Sequence, residues 1–516
     1  MIDRGADQSI ATCTLLWLLS KPSYKLLLDP QAQSTIASLN IAISGMTLDS
    51  RNVTSGDLFV ALQGALSDGR QFIQNAIVAG AVAVLSETTE QEQHGVIEHQ
   101  QNTVIVKVYK LHHYLSDIAM RFYFPSNNCH PVTAITGTNG KTTIASLLAN
   151  SYMLLKQQSA QMGTIGNGLY GQLKASLNTT LDAISVCREL SSYQQQGAQY
   201  TIMEVSSHGL IQGRVAAIPF STAIFTNLTR DHLDYHGTMQ AYADAKKILF
   251  ENFPLKHRII NADDPVGREW LSQYPNAIAY GVQATNNKQY FKIEHVAYLA
   301  QGIVFDFNSS WGEGQIQAPF YGDFNVSNIA AVSCALLADG YSIAQIQTVL
   351  AQLTVVPGRM EQYFFEKQNL TFVVDYAHTP DALSNALNAL QKHKDEQQGR
   401  IIAVFGCGGD RDKGKRAEMA KAAEQGADHV IIVDDNPRTE DAKAIVDDIK
   451  KGLTQADTAT VIHDRKQALM HLLATANNGD IILVAGKGHE DYQIFGDKKV
   501  HYSDRECLSE LIAQEQ

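Results

Sequence analysis

The stretch VTAITGTNGKTTIASLL, residues 132–148, decides how this chain is read. Val132 to Thr136 is a run of apolar and β-branched residues that predicts a buried strand. The run stops at Gly137, and beyond Gly140 the residues Ile144, Leu147, Leu148 and Leu155 recur at helical spacing. A strand, a glycine-bearing loop and a helix in that order aim backbone N–H groups from a helix N-terminus, which is what a phosphate requires. Lys141 adds a cation, and Thr142 can place its hydroxyl on Mg²⁺. The expectation is that Gly137, Thr138, Asn139, Gly140, Lys141, Thr142 and Thr143 bind ATP. Ile135 stands where a GxxxxGK pattern has its first glycine, and an ordinary strand-to-helix turn is the alternative.

Working outward, two more apolar runs end in groups that ligate metals. Thr201 to Met203 delivers Glu204 in EVSSHG, and Ile224 to Thr226 leads into NLTRDHLDYH with His232. A carboxylate and an imidazole near a phosphate-loop threonine suit Mg²⁺, although either alone is more often a surface or hydrogen-bonded residue. Lys246 lies in AYADAKKILF on an expected amphipathic helix, where a solvent-facing lysine is the simplest reading. His378 follows the strand Phe372 to Asp375, where it could serve nucleotide or magnesium or simply finish a turn.

A last segment opens near Pro357 and Gly358. Its strands Ile401 to Phe405, Val430 to Val433 and Ile481 to Ala485 run into the loops GCGGDRDKGK, DDNPRTED and GKGHED. In an open parallel sheet such loops converge beyond the carboxyl ends of the strands. In Asp435, Asn436, Pro437 and Arg438, the arginine offers a planar fork for a carboxylate on a proline-stiffened loop. Thr439, Glu440 and Asp441 also suit a helix start, and both readings can hold together. Arg411 and Glu490 add a further cation and an anion, a set suited to an amino acid.

Composition bounds the rest. With 516 residues, 45% hydrophobic and 18% charged, the chain can bury several cores, and its length suggests about three domains. A formal net charge of -12 argues against non-specific nucleic-acid binding. The six cysteines form no CxxC pair, which fits a reducing compartment, and the short run Leu15 to Leu19 reads as core packing rather than a leader, so a cytoplasmic protein is expected. Residues Asp57 to Leu62 predict a strand, Phe72 to Ala79 a helix and Val82 to Leu85 a strand, before Pro125 to Asn128 breaks the pattern. The expected class is α/β with three domains: a mixed αβ N-terminal domain over 1–127, a central P-loop ATPase-like domain with a parallel sheet over 128–356, and a C-terminal Rossmann-like domain over 357–516.

Taken together, GTNGKTT, EVSSHGL, TNLTRDHLDYH, GDFNVSN, VPGRME, VDYAHTPDAL, FGCGGDRDKGKR, DDNPRTED and AGKGHEDYQ resemble the Mur ligases over nearly the whole chain. Within that family they are most similar to the ligases that add the third residue of the peptidoglycan stem peptide, and DNPR resembles the form that adds meso-diaminopimelate rather than lysine. The resemblance implies a domain for the UDP sugar, an ATPase domain and a domain that brings the amino acid and closes over the site. It implies ATP and Mg²⁺, an acyl phosphate on the D-glutamyl γ-carboxylate of UDP-MurNAc-L-Ala-D-Glu, and attack by the diaminopimelate amine. A monomer acting on small molecules, without nucleic acid or membrane insertion, is expected.

By position, Leu48 and Ser50 in TLDSR resemble uridine-binding residues, while Ala65, Leu66 and Ser67 depart from the HQA often found there. Asn178, Thr179, Thr180, Ser206, Gln212 and Arg214 match residues that hold the muramoyl peptide. Lys246 matches the lysine the family carboxylates, a carbamate able to ligate magnesium with Thr142, Glu204 and His232. Asn325, Asn328, Asn261 and Asp264 fall where the family contacts the nucleoside, and Arg359 and His378 near the phosphates. Arg411, Asp435, Asn436, Pro437, Arg438, Gly486 and Glu490 match the diaminopimelate pocket. The nearest rivals are a lysine-adding relative and a folylpolyglutamate synthase. A non-catalytic P-loop switch is another, and a nicotinamide oxidoreductase would need a GxGxxG that no strand here precedes.

Overall fold

The computed structural model describes residues 12–20, 30–64, 67–176, 178–299, 302–394, 399–455 and 459–515. The chain forms two compact units: Met1–Thr136, Gln157–Ala223 and His232–Lys256 make the first, and Gly137–Lys156, Ile224–Asp231 and His257–Gln516 the second.

The first unit holds a five-stranded sheet in the order Gly45–Thr47, Asp57–Ala61, Ala83–Thr88, Thr103–Tyr109, Ile97–Gln100. Its neighbours are parallel except for the last pair. Strands Asp57–Ala61 and Ala83–Thr88 are buried along their whole length, so their apolar residues Leu58 to Ala61 and Ala83 to Leu85 run consecutively instead of alternating, while Asp57, Ser86, Glu87 and Thr88 are buried polar ends. The helix expected over 72–79 begins one turn earlier as a tight 3₁₀ segment, Gly69–Phe72, because the Asp68 carboxylate accepts from Arg70 N; it is α-helical only over Ile73–Val78. The Leu15–Leu19 run is a short helix with Leu15, Leu18 and Leu19 buried, in keeping with a packing role. Ala65 and Leu66 lie outside the described residues.

In the same unit, Ser159–Gly163, Tyr200–Glu204 and Val132–Thr136 pair in parallel, and Gly166–Leu169 folds back antiparallel on the first of them. The register sets Glu204 opposite Ile135, so the Glu204 carboxylate and the end of the strand Val132–Thr136 emerge from one edge.

In the second unit His257–Asn261, Ile278–Gly281 and Gln289–Leu299 are parallel, extended by the antiparallel strands Gly302–Ser309 and Gly312–Ala318. A further six-stranded sheet runs Glu361–Phe365, Leu370–Asp375, Ile481–Ala485, Ile401–Phe405, His429–Ile432, Thr460–Val461, parallel apart from its first hairpin. Alternate residues of one strand serve two cores. Ile401, Ala403 and Phe405 pack with Leu383 and Leu387 of helix Pro380–His393 and Met419 of helix Gly414–Gly426. Ile402 and Val404 pack with Leu469 and Leu472 of helix Arg465–Thr475 and Leu508 of helix Asp504–Glu515. A parallel sheet covered on both faces is the doubly wound arrangement, and its ligand edge lies past Asp375, Phe405, Ile432 and Ala485. Among the described residues no helix is long and apolar enough to cross a membrane.

Candidate active site

The loop after Thr136 depends on two glycines. Gly137 has φ 148°, and a Cβ there would overlap the Thr226 hydroxyl; Gly140 has φ 87°, with Asn328 Oδ1 2.7 Å from where a Cβ would stand. The loop is tied to the segment Thr226 to Thr229. Thr138 N donates to Asn227 O (2.9 Å), Asn139 N to Asn227 Oδ1 (2.9 Å), Thr226 Oγ1 to Asn139 O (2.6 Å) and Thr229 N to Thr138 Oγ1 (3.0 Å). Lys141 Nζ donates to the carbonyls of Gly137 (2.9 Å) and Thr138 (2.8 Å), so the ammonium lies across the loop it serves. Thr142 and Thr143 are buried in the first turn of helix Lys141–Leu154. A helix N-terminus with a lysine folded over it is a site for a polyphosphate.

Arg359 donates to Thr142 Oγ1 (3.3 Å) and stacks over the Tyr376 ring, 4.6 Å from its centroid. Its Nε is buried without a hydrogen-bond partner, a donor left over for an anion. Asp375 accepts from Met360 N (2.9 Å) and Ala377 N (2.8 Å); burial raises its pKa, and the charge of Arg359 opposes that. His378 Nδ1 meets Tyr376 O (2.8 Å), and burial first, then the Lys415 charge, hold the ring below the usual histidine pKa. The Arg359 guanidinium beside the loop suits phosphate oxygens, and His378 packs on the same Tyr376 ring that this guanidinium covers. Asn328 Nδ2 donates to Asn325 Oδ1 (3.0 Å), Asn261 Nδ2 to Thr226 O (2.7 Å), and Asp264 caps helix Pro265–Gln273 while accepting from Leu228 N (2.9 Å). Asn261 and Asp264 thus brace the phosphate loop's partner segment.

In the first unit, Glu204 is fully buried and accepts from Thr164 N (2.8 Å) and Thr164 Oγ1 (3.2 Å). Thr164 Oγ1 also meets Thr179 Oγ1 (3.1 Å), and Thr180 Oγ1 donates to Glu204 O (3.1 Å). Ser206 caps the helix Ser207–Ile211, and Arg214 donates to Thr180 O (2.7 Å) and to Gln212 Oε1 through Nε (2.9 Å). Thr179, Thr180, Ser206, Gln212 and Arg214 therefore gather with Glu204, while Asn178 is exposed at the rim. Leu48 and Ser50 are half-buried beside the Asp49-capped turn Ser50–Asn52.

Lys246 corrects the solvent-facing reading. It is 1% exposed on helix Met239–Glu251, with Nζ 4.4 Å from the Tyr242 ring centroid. The helix turns this face inward because Tyr242, Ala243, Leu249 and Phe250, one turn before and after it, are buried with it. His232, at φ 53°, stands edge-on to His208 (5.1 Å) and to Tyr242 (6.1 Å), and burial first, then the neighbouring histidines, depress His208 to about 4. Among the described residues no three His, Cys, Asp or Glu side chains converge as a metal cage. The donors nevertheless fit Mg²⁺ chemically, a cation that takes one or two carboxylate-type oxygens and completes its shell with water and phosphate.

At the carboxyl edge of the six-stranded sheet, Arg438 adopts φ 53° and is clamped by Arg438 N to Ile494 O (3.0 Å) and Gly496 N to Arg438 O (2.7 Å). A non-glycine residue in that conformation costs about 1–3 kcal/mol and persists where its surroundings demand it. Its guanidinium donates to the carbonyl of Gly409 (2.8 Å) and flanks Gly408, on which exposed Arg411 also packs. Asp441 caps helix Ala442–Lys450, so the helix-start reading of this loop holds. Pro437 and Asn436 are buried; Gly486, at φ 109°, has open space where a Cβ would stand; and Glu490 is half-buried, its pKa raised by burial against the Lys487 charge. Sequence reasoning passed over Lys487, Asp375, Tyr376, Asn227 and Thr229. Lys487 left one usable signal, a lone lysine between Asp435 and Glu490 in loops expected to converge.

Comparison with known proteins matches three family descriptions along the chain: Mur ligase family, catalytic domain, over 42–123; Mur ligase middle domain over 135–336; and Mur ligase, glutamate ligase domain, over 358–488. The UDP-N-acetylmuramoyl-L-alanyl-D-glutamate--2,6-diaminopimelate ligase of Vibrio vulnificus is 47% identical over 478 residues, 92% of this chain and 95% of that protein. The protein of the same name from Haemophilus influenzae is 47% identical over 477 residues, covering 92% and 97%. A solved structure of a ligase of that name superposes with TM-score 0.66 at 36% identity, covering 92% of this chain and 96% of that one. An ADP complex of MurF from Thermotoga maritima shares the fold at TM-score 0.61 and 20% identity. The chain belongs to the Mur ligase family.

Proposed function

We propose that the chain is an ATP-dependent ligase joining meso-2,6-diaminopimelate to the D-glutamyl γ-carboxylate of UDP-MurNAc-L-Ala-D-Glu, with UDP-MurNAc-tripeptide, ADP and phosphate as products of peptidoglycan precursor synthesis. The observation that carries it is the clamped Arg438, whose guanidinium bonds, among the described residues, to the backbone carbonyls of Gly409 and Asn436, on a loop whose Asp435 is joined through Lys487 to Glu490. That set takes a ligand end bearing both a carboxylate and an ammonium, which diaminopimelate has at its far end and lysine lacks.

In this reading Gly137 to Thr143 cradle the triphosphate, Lys141 leaves its loop carbonyls for the phosphates, and Arg359 and His378 face the same anion. Transfer of the γ-phosphoryl group to the D-glutamyl carboxylate oxygen brings two anions together, and the Lys141 and Arg359 charges offset their repulsion. The diaminopimelate amine then attacks the acyl carbon, phosphate leaves and the amine loses a proton. Leu48 and Ser50 serve the uridine; Asn178, Thr179, Thr180, Ser206, Gln212 and Arg214 serve the muramoyl peptide. In the first unit Glu204, His232 and a Lys246 carbamate would hold Mg²⁺, and in the second the Thr142 hydroxyl would hold the ion that accompanies the nucleotide. Bound Mg²⁺ supplies charge neutralisation at phosphate oxygens. A buried lysine without solvent favours such a modification, since carboxylation converts a poorly hydrated cation into an anionic oxygen ligand.

In this reading the enzyme acts in the cytoplasm as a monomer. Phosphate release with ATP, Mg²⁺ and UDP-MurNAc-L-Ala-D-Glu should require meso-diaminopimelate. Turnover with L-lysine at equal efficiency would overturn the specificity, and ATP binding without turnover would make the chain a switch.

A further inference from the structure

Lys487 is the one residue of the GKGHED loop whose burial its chemistry forbids without partners. It is fully buried, and Nζ lies 3.0 Å from Asp435 Oδ1, 3.0 Å from Asn436 Oδ1 and 3.3 Å from Glu490 Oε2. The Tyr492 ring centroid is 5.5 Å away on the hairpin Tyr492–Phe495 and Lys498–His501. Two of those contacts cross from the loop after Ile481–Ala485 to the loop after His429–Ile432, so one ammonium joins the two segments that carry Arg438 and Glu490. Asn436 Oδ1 also accepts from Ile494 N (3.0 Å), which extends the joint to the hairpin that clamps the Arg438 backbone. Asp435 Oδ1 is buried and makes an ion-pair contact with Nζ but no hydrogen bond, which leaves it acceptor capacity.

Lys487 brings one positive charge to the two carboxylates it touches, Asp435 and Glu490, whose side chains are 15% and 17% exposed, so this contact set is left with one negative charge. We propose that Lys487 is the positioning residue of the amino-acid pocket: its ammonium fixes the DNPR and GKGHED loops at one spacing and leaves a single surplus negative charge for the distal ammonium of the amino acid, beside the Arg438 fork for its carboxylate. This rests on the ligase reading above, which turnover of the unaltered enzyme with diaminopimelate tests separately. Cys407, Tyr376, Tyr492 and Arg465 act electrostatically on Asp435 or Glu490, and Arg438 and Asp491 act on Tyr492 beside them.

The test compares Lys487→Met, Lys487→Arg and the double variant Lys487→Met with Asp435→Asn in the full-length enzyme, by steady-state kinetics and melting temperature. Lys487→Met should raise KM for meso-diaminopimelate about thirtyfold or more while KM for ATP and for the UDP dipeptide stay near those of the parent. Without the lysine the two carboxylates repel one another and hold a proton more readily, which the ligand ammonium must displace, so that KM should fall as pH rises through the titration of the pair, more steeply than in the parent. Lys487→Arg keeps the charge and should recover most of the loss. The double variant restores the charge count with Glu490 alone and should bind diaminopimelate better than Lys487→Met; it also serves if the single variant does not fold. Parallel rises in all three KM values together with a lower melting temperature, or no gain in the double variant, would overturn the proposal.

Discussion

Arg438→Ala removes a guanidinium whose backbone is held at φ 53° by its neighbours, so the loop should keep its shape while the fork disappears. KM for meso-diaminopimelate should rise by about 2 kcal/mol or more, near thirtyfold, with KM for ATP unchanged, and discrimination against L-lysine should shrink. Equal changes in both constants would make the residue structural. Gly137→Ala places a methyl group on the Thr226 hydroxyl at φ 148° and should cost about 1–3 kcal/mol of local strain. An ATP analogue at about 100-fold its Kd stabilises a binding-competent protein by about 2.7 kcal/mol, so its upward shift in melting temperature should vanish in this variant. Both positions stood out in sequence, as a glycine ending a strand and a Pro-Arg pair in a strand-end loop, with an ordinary turn and a helix start as their alternatives. Lys246 was not, because whether one lysine on an amphipathic helix faces water depends on what packs on Tyr242 and Leu249, and periodicity alone leaves that open. A carbamate at Lys246 should appear as a ¹³C carbonyl signal after labelling with bicarbonate and vanish in Lys246→Met; activity without that signal would contradict the modification.

At the scale of elements, the DNPR loop is braced from behind by fully buried Arg416 on helix Gly414–Gly426, which bonds Glu440 Oε1 (2.9 Å), Asp448 Oδ2 (3.0 Å) and Gly408 O (3.2 Å). The hydrogen bonds from Arg416 lower the Glu440 pKa from 4.5 to about 2. A carboxylate with a depressed folded pKa stabilises the fold above its unfolded value, and the gain is lost as pH falls through the folded one. The melting-temperature gap between the parent and Glu440→Gln should therefore be constant above about pH 5 and close as pH falls toward 2; a gap that widens on acidification would reverse the sign. The parallel strands of this sheet were readable as unbroken apolar runs because both faces are covered by helices. Element ends were read less well: the segment 72–79 opened as 3₁₀ because the Asp68 cap, outside the apolar pattern, starts it early.

For the molecule as a whole, motif order along the chain identified a ligase family that the comparisons bear out over 92% of the sequence. The ion-pair joint at Lys487 escaped that reading, since it links residues about fifty positions apart whose meeting depends on strand order. The central claim is that the pocket bearing Arg438, Asp435 and Glu490 selects the amino acid. The most direct measurement is product analysis with ATP, Mg²⁺ and UDP-MurNAc-L-Ala-D-Glu, offering meso-diaminopimelate and L-lysine together. A diaminopimelate tripeptide with stoichiometric ADP and phosphate is the predicted result; a lysine tripeptide, or ADP formed without any tripeptide, would contradict it.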